Sequence, residues 1–154
     1  MAGVNVRYEI RDDRVRRALE ALGRRAARMD APLRAIGEDL QLSHRDRFDQ
    51  QISPEGHPWA PLSPEYQERK ARRADEVLVL NTYLRDTLRY DVAAGRLEFG
   101  TDRVYGATHQ FGDDARGIPA RPWLGLSDAD EQSAVRTLLD YLERPLRGGR
   151  GPSQ

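Results

Sequence analysis

Three stretches of the chain repeat apolar residues every three or four positions, and this spacing constrains the fold more than any other feature. Residues at such spacings share one face of an α-helix. The first stretch follows Asp12-Asp13, the second begins at Asp30-Ala31-Pro32 and ends near Gln50, and the third follows Ser127. The apolar positions of the first are Val15, Leu19, Leu22, Ala26 and Met29, and those of the third are Val135, Leu138, Leu139, Leu142 and Leu146. We predict two consecutive N-terminal helices, arranged as a hairpin or as one kinked rod, and a C-terminal helix.

Alternation of apolar and polar residues predicts a small antiparallel sheet beside these helices. The alternating residues are Leu88, Tyr90 and Val92 before Ala94-Gly95, and Leu97 and Phe99 after it. Residues 87–101 are therefore predicted to form a β-hairpin, and residues 4–10 alternate in the same way, as a further strand would. The predicted fold class is α+β, with a small antiparallel sheet, long N-terminal helices and a C-terminal helix.

The composition narrows the functional classes. A chain of 154 residues suits one domain, which we place at residues 1–147, with a flexible glycine-rich tail at 148–154. There is no cysteine, which excludes disulfides and thiolate metal sites, and the 25 basic and 25 acidic residues cancel. No apolar run reaches the roughly 18 residues of a membrane span, and the N-terminus does not resemble a signal peptide. We expect synthesis in the cytoplasm and no membrane association.

Residue patterns that carry catalysis are weak in this sequence. His44, His57 and His109 show no spacing typical of a zinc site, and no phosphate-binding loop or nucleophile elbow is present. The paired acids Asp12-Asp13 and Asp113-Asp114 are more typical of helix caps and solvated loops than of acid–base catalysis. We expect no enzyme activity, no cofactor and no metal.

Aromatic residues in segments broken by proline or glycine are the better functional candidates. Trp59, Tyr105, Phe111 and Trp123 lie where a single copy of the chain would have difficulty in enclosing them, and aromatic and arginine side chains are enriched in protein interfaces. The alternative is that each closes over the edge of its own sheet. The predicted interface residues are Trp59, Tyr105, His109, Phe111, Arg121, Pro122 and Trp123. On this hypothesis, Arg121→Ala or Trp123→Ala impairs assembly more than it impairs folding.

Four ordered motifs resemble one protein family. They are Gly56-His57-Pro58-Trp59-Ala60-Pro61-Leu62, Leu80-Asn81-Thr82-Tyr83-Leu84, Tyr105-Gly106-Ala107-Thr108-His109-Gln110-Phe111-Gly112 and Ile118-Pro119-Ala120-Arg121-Pro122-Trp123-Leu124-Gly125-Leu126-Ser127. Together they are similar to the virion morphogenesis, or tail completion, family of Mu-like phages, from about Ile36 to Leu146. Tyr83 departs from the family pattern, which has a glycine there.

The resemblance implies a structural protein of the phage tail or neck, with a fold like that of tail terminators. Such a protein is expected in the virion as a ring of identical copies, commonly hexameric. The ring would cap the tail tube, contact the tail tube protein and the head–tail connector proteins, and let DNA pass through its channel without sequence-specific binding. The alternatives are another connector component, such as a stopper or an adaptor, or a DNA-binding module. The last alternative depends on arginines of the first predicted helix, whose charge is diluted by neighbouring acids. These arginines are Arg14, Arg17, Arg24, Arg25 and Arg28.

Overall fold

The structure, a computed structural model, describes residues 13–69 and 83–147 and has an α+β fold. Its elements in chain order are α1 (Asp13–Ala26), α2 (Asp30–Gln50), α3 (Pro64–Arg69), α4 (Tyr83–Asp86), β1 (Arg89–Ala93), β2 (Arg96–Gly100), α5 (Tyr105–Phe111), a 3₁₀ turn (Asp114–Arg116) and α6 (Asp128–Arg147). The predicted fold class, long helices and hairpin are confirmed. The predicted strand at 4–10 and the predicted tail at 148–154 lie outside the described residues.

The C-terminal helix α6 packs against both N-terminal helices. It runs antiparallel to α2, because Asp130 contacts Arg47 while Ser133, further along α6, contacts Asp39, which lies earlier in α2. Near its other end, Tyr141 accepts a hydrogen bond from Arg25 of α1 through its carbonyl oxygen. Since α1 packs on α6 and not along α2, the two N-terminal helices form the kinked rod and not the hairpin.

The hairpin of β1 and β2 closes with a two-residue turn. Ala93 pairs with Arg96, and both residues between them, Ala94 and Gly95, have positive φ values of 51° and 72°. Positive φ at both central positions is the geometry of a type I′ turn, whose twist matches that of the flanking strands. Every second residue of each strand is half-buried, as the alternation predicted, and both strands pack against α2.

The core lies where the ends of several elements meet, beneath the irregular segments of the chain. Its buried apolar side chains are Phe48, Trp59, Leu84, Leu88 and Trp123, with Leu62, Phe99 and Leu124 packed around them. The Phe48 and Trp59 rings meet edge to face, with centroids 5.2 Å apart. The fold therefore depends on segments without regular structure as much as on its helices.

The close approach of α2 to the hairpin depends on a glycine. A Cβ atom added to Gly37 would lie 2.5 Å from the Tyr90 ring, and the Tyr90 hydroxyl donates a 2.6 Å hydrogen bond to Glu38. The ring is therefore held from both ends and has little freedom to move away.

We expect Gly37→Ala to lower the free energy of unfolding by about 1–3 kcal/mol, the usual cost of overpacking. Urea denaturation followed by circular dichroism measures this. The matched control is Gly23→Ala in α1, where an added Cβ meets nothing within 4 Å, so the better helix propensity of alanine should raise stability slightly. Equal effects of the two substitutions would contradict the close contact.

Candidate protein–protein interface

The segment 118–127, here named the Trp123 loop, is fastened to α5 by one glutamine. The side-chain oxygen of Gln110 accepts hydrogen bonds from the backbone N–H groups of Trp123 and Leu124, both at 2.9 Å. Its side-chain nitrogen donates to the carbonyl of Leu124 at 3.1 Å, and the Arg121 N–H donates to the carbonyl of His109 at 2.7 Å. An irregular segment buries polar backbone groups that need hydrogen-bond partners, and the Gln110 side chain satisfies three of these groups.

Both tryptophans are buried and use their indole N–H groups to join distant segments. Trp123 donates to the carbonyl of Gly106 in α5 at 2.9 Å, and Trp59 donates to the carbonyl of Pro122 in the Trp123 loop at 2.7 Å. One copy of the chain therefore encloses both side chains, as the alternative interpretation of these aromatic residues expected, and the difficulty expected for these two is not observed. Their backbone acceptors lie on segments that the sequence alone does not place beside them.

Arg121 is also buried, and its guanidinium is used inside the chain. It donates from Nε to the carbonyl of Ala60 at 2.7 Å and from Nη2 to the carbonyl of Pro61 at 2.9 Å. Arg121 and Trp59 thus hold the Trp123 loop against the proline-rich segment 52–62. Trp123→Ala is therefore expected to lower the free energy of unfolding, since removing a buried tryptophan side chain typically costs about 3–5 kcal/mol. That Arg121→Ala or Trp123→Ala impairs assembly more than folding stays a prediction.

The glycines of the motif after Tyr105 are explained by how closely the Trp123 loop approaches α5. Gly112 ends α5 with a φ of 77°, and a Cβ atom there would lie 2.8 Å from the backbone nitrogen of Ala120. A Cβ atom on Gly106 would lie 3.2 Å from the Trp123 ring. At these positions a side chain would push the loop away from the helix.

The outer side of α5 carries the predicted interface residues that remain exposed. Phe111 is 79% exposed and Val104, at the N-terminal cap, is 91% exposed. The two residues are seven positions apart in the sequence, which places both on one helical face. Tyr105 is exposed beside them, with its ring edge to face against half-buried His109 at 6.1 Å. We name Val104, Tyr105 and Phe111 the α5 surface. Pro122 is half-buried behind α5 and does not belong to this surface.

Comparison with known proteins identifies the class to which this arrangement belongs. The sequence profile of the phage virion morphogenesis family matches residues 10–143. The chain belongs to the phage virion morphogenesis family. The resemblance seen in its motifs is confirmed, and the match begins well before Ile36, so it includes α1. Membership assigns this chain to the building of phage particles.

A curated relative comes from Escherichia phage Mu. This relative carries the provisional name capsid assembly protein G. Its sequence is 27% identical to that of this chain over 157 residues. The alignment covers 94% of this chain and 97% of the relative. No solved structure matches the chain.

The four motifs of this family member meet at one place in the fold. Trp59, Leu84 and Trp123 share the core cluster, while Gly106 accepts the indole N–H of Trp123. Residues 80–82 of the second motif lie outside the described residues, and Tyr83 begins the short helix α4. The motifs therefore build the support behind the α5 surface, and the exposed side chains stand on that support.

A buried polar network lies below the Trp123 loop. Arg47 of α2 donates to the Asp130 carboxylate at 2.7 Å and to the carbonyl of Gly125 at 2.9 Å. Asp130 also accepts from the Ser127 N–H, and Ser127 accepts in return from the Asp130 N–H, which completes the capping box that the sequence indicates. Burial alone would raise the pKa of Asp130, but the bonds from Arg47 and Ser127 outweigh it and lower the pKa to about 2.

His44 completes this network as a neutral ring. Its Nδ1–H donates to the carbonyl of Leu40 at 2.7 Å, which leaves Nε2 to accept from Arg47 at 3.0 Å. The ring packs on Phe99 at a centroid distance of 4.5 Å. Burial and then the charge of Arg47 lower the pKa of His44 to about 4, because a proton on Nε2 would face the guanidinium.

Two exposed apolar stripes on the long helices were not found by sequence reasoning. Val135 and Leu139 of α6 are 54% and 51% exposed, whereas Leu138 and Leu142 are half-buried. The sequence places all four residues on one apolar face of the helix. It contains no signal that distinguishes the residues that become half-buried from those that stay exposed. Val15 and Leu19 of α1 are also about half exposed. Gln110 and Val104 were missed as well, since neither residue type indicates its role.

Among residues 13–69 and 83–147, no three His, Asp or Glu side chains come together as metal ligands would. In these ranges no helix combines the length and the apolar character needed to cross a bilayer.

We expect the protein to lose stability as the pH falls from about 6.5 towards 4. In this window the unfolded chain binds a proton at His44 that the folded chain does not bind. The free energy of unfolding therefore decreases as the pH falls. Between pH 7 and pH 5 the loss should be about 2 kcal/mol. Urea midpoints measured across this range test it.

The matched variants for this experiment are His44→Gln and His57→Gln. Glutamine at position 44 keeps a donor for Leu40 and an acceptor for Arg47 but does not titrate, so most of the pH dependence should disappear. His57 is exposed, and its replacement should leave the profile unchanged. A wild-type profile from His44→Gln would show that this buried ring does not govern acid sensitivity.

Proposed function

We propose that this chain is a structural protein of the phage tail and neck, a tail completion or terminator protein. Copies of it form a ring, expected to be a hexamer, that caps the tail tube and joins it to the head. The chain acts by assembly and makes or breaks no covalent bonds. DNA passes through the ring without being read by sequence.

The α5 surface carries this proposal. Large apolar side chains on a short helix are costly to expose to water, and contiguous exposed apolar patches are typical of protein-interaction sites. Here the helix is fixed from behind by Gln110 and by the bond between Trp123 and Gly106. A rigid surface loses little conformational entropy on binding, which favours a specific contact with another virion protein.

The partners proposed for this surface are the tail tube protein and the connector proteins of the head. Phe111 supplies an aromatic anchor of the type that dominates binding energy when it enters a pocket. Tyr105 adds a large ring with a polar end, which can be buried with its hydroxyl hydrogen-bonded. Such a contact would replace the water that now covers both rings.

A second candidate places the protein on the head side of the neck, as a stopper or an adaptor. The name of the relative from phage Mu, which refers to capsid assembly, favours this alternative. The α5 surface would serve equally well there, because its chemistry requires only a complementary apolar pocket. The two candidates differ in which half of the particle fails when the protein is missing.

Removal of the gene from its phage separates these candidates. Tails of abnormal length without heads, seen by negative-stain microscopy, would support the tail terminator. Normal tails together with heads that leak DNA would favour the stopper or adaptor, and malformed capsids would indicate a role in building the head. Normal infectious particles would contradict all three.

We expect Phe111→Ser to prevent particle assembly while changing the free energy of unfolding by no more than about 0.5 kcal/mol, since exposed side chains contribute little to folding. Complementation of the gene deletion measures assembly, and urea denaturation measures folding. Leu42→Ser is the matched control, because Leu42 is an exposed apolar residue of α2 away from the α5 surface. Full complementation by Phe111→Ser would contradict a binding role for this surface.

A further inference from the structure

The outer face of α6 is an apolar stripe with an acidic residue at each end. Glu131, Val135, Leu139 and Glu143 follow one another at intervals of four residues, so they form a single row along the helix. The other described residues along this open, shallow face are Gln132, Arg136 and Asp140. Among the described residues, this face therefore carries three acids and one base, around two apolar side chains that are more than half exposed.

Helix α1 offers a stripe of the opposite charge. Val15 and Leu19 are about half exposed and four residues apart, the same interval as Val135 and Leu139. Arg14 and Arg16 border them on either side, and no residue of this helix is buried. Arg16 already pairs with Asp13 at 2.7 Å, but both groups are more than 60% exposed, and such a pair contributes little and is readily exchanged.

The two stripes cannot meet within one copy of the chain. In α6, Tyr141 lies two residues from Leu139, which places it on roughly the opposite side of the helix. That inner side holds α1, because the Arg25 guanidinium stacks 4.2 Å from the centre of the Tyr141 ring. It also holds α2, through Asp130 and Ser133. The α1 of the same copy is therefore excluded from the outer face of α6.

We propose that α1 of one copy packs against the outer face of α6 of the next copy. The contact matches apolar stripe to apolar stripe. It places Arg14 and Arg16, which both lie at one end of the α1 stripe, beside the acid at one end of the α6 stripe, Glu131 or Glu143. Pairing α6 with α6, or α1 with α1, would bring like charges together, which is unfavourable. Each copy then gives α1 to one neighbour and α6 to the other, and a head-to-tail contact of this kind closes into a ring when its rotation allows. The inference rests on the proposed ring and specifies its subunit interface.

Cysteine cross-linking tests the contact directly, since the chain has no cysteine of its own. The double variant Val15→Cys/Leu139→Cys, oxidised with copper phenanthroline, should give a ladder of covalent multimers on a non-reducing gel. The largest band counts the copies in the ring. Each single variant should give dimers at most, and Val15→Cys/Leu42→Cys, with one cysteine on α2, should give no ladder.

The experiment is done both on purified protein and on assembled particles, so that failure of the contact and failure of the proposed function can be distinguished. Protein that enters particles but gives no ladder there would overturn the α1–α6 contact and leave the proposed function intact. A ladder from purified protein that never enters particles would support the contact and overturn the function. A ladder in particles supports both, and no ladder with no incorporation overturns both.

Exchanging the charges of the two helices tests the contact independently. Association is measured by light scattering over a concentration series, or by the yield of particles if the purified protein does not associate. Glu131→Arg/Glu143→Arg and Arg14→Glu/Arg16→Glu should each weaken association at least about tenfold, equivalent to about 1.4 kcal/mol. Combining all four substitutions in one chain should restore it. Arg17→Glu/Arg24→Glu, on the other side of α1, is the matched control. Failure of the combined variant to recover, with its fold intact, would overturn the proposed charge pairing.

Discussion

The guanidinium of Arg47 is buried where α2, α6 and the Trp123 loop meet, and the rest of the structure depends on how its charge is satisfied. An ion removed from water costs several kcal/mol unless it is paired and hydrogen-bonded. Asp130, His44 and the carbonyl of Gly125 supply these partners, which fixes α6 and the Trp123 loop relative to α2. The loop in turn holds α5 through Gln110. Polar contacts therefore connect the core to the α5 surface without a continuous sheet or helix.

Local features of the sequence predicted the elements of this fold well. Apolar spacing indicated α2 and α6, and Ala94-Gly95 indicated the hairpin turn, because helix faces and two-residue turns are determined by residues close in sequence. The resemblance in the motifs gave the right family. Its profile includes α1, which carries none of the quoted motifs.

Contacts between distant residues account for what the sequence did not predict. Trp59 and Trp123 were expected to be difficult to enclose in one copy, yet their indole groups donate to carbonyls 63 and 17 residues away. Arg47 and Asp130 are 83 residues apart, and neither residue type signals a buried pair. The open half of α6 was missed for the same reason, since the side of an apolar arc that faces the core is decided by how α1 and α2 pack on it. Candidate interface residues are therefore distinguished by their exposure in the folded chain and not by residue type alone.

The Trp123 loop also affects the order in which the contacts of the folded chain can form. Its hydrogen bonds join segments up to about 80 residues apart, and contacts of such separation form late because they require the closure of long loops. During synthesis, Arg47 and Trp59 leave the ribosome well before Asp130 and Pro122, which satisfy their polar groups. The packing of the N-terminal helices is therefore completed only when the C-terminal part of the chain has been made. A chain that ends before Asp130 lacks the partner of the Arg47 charge, so it cannot bury that charge without a large cost in free energy.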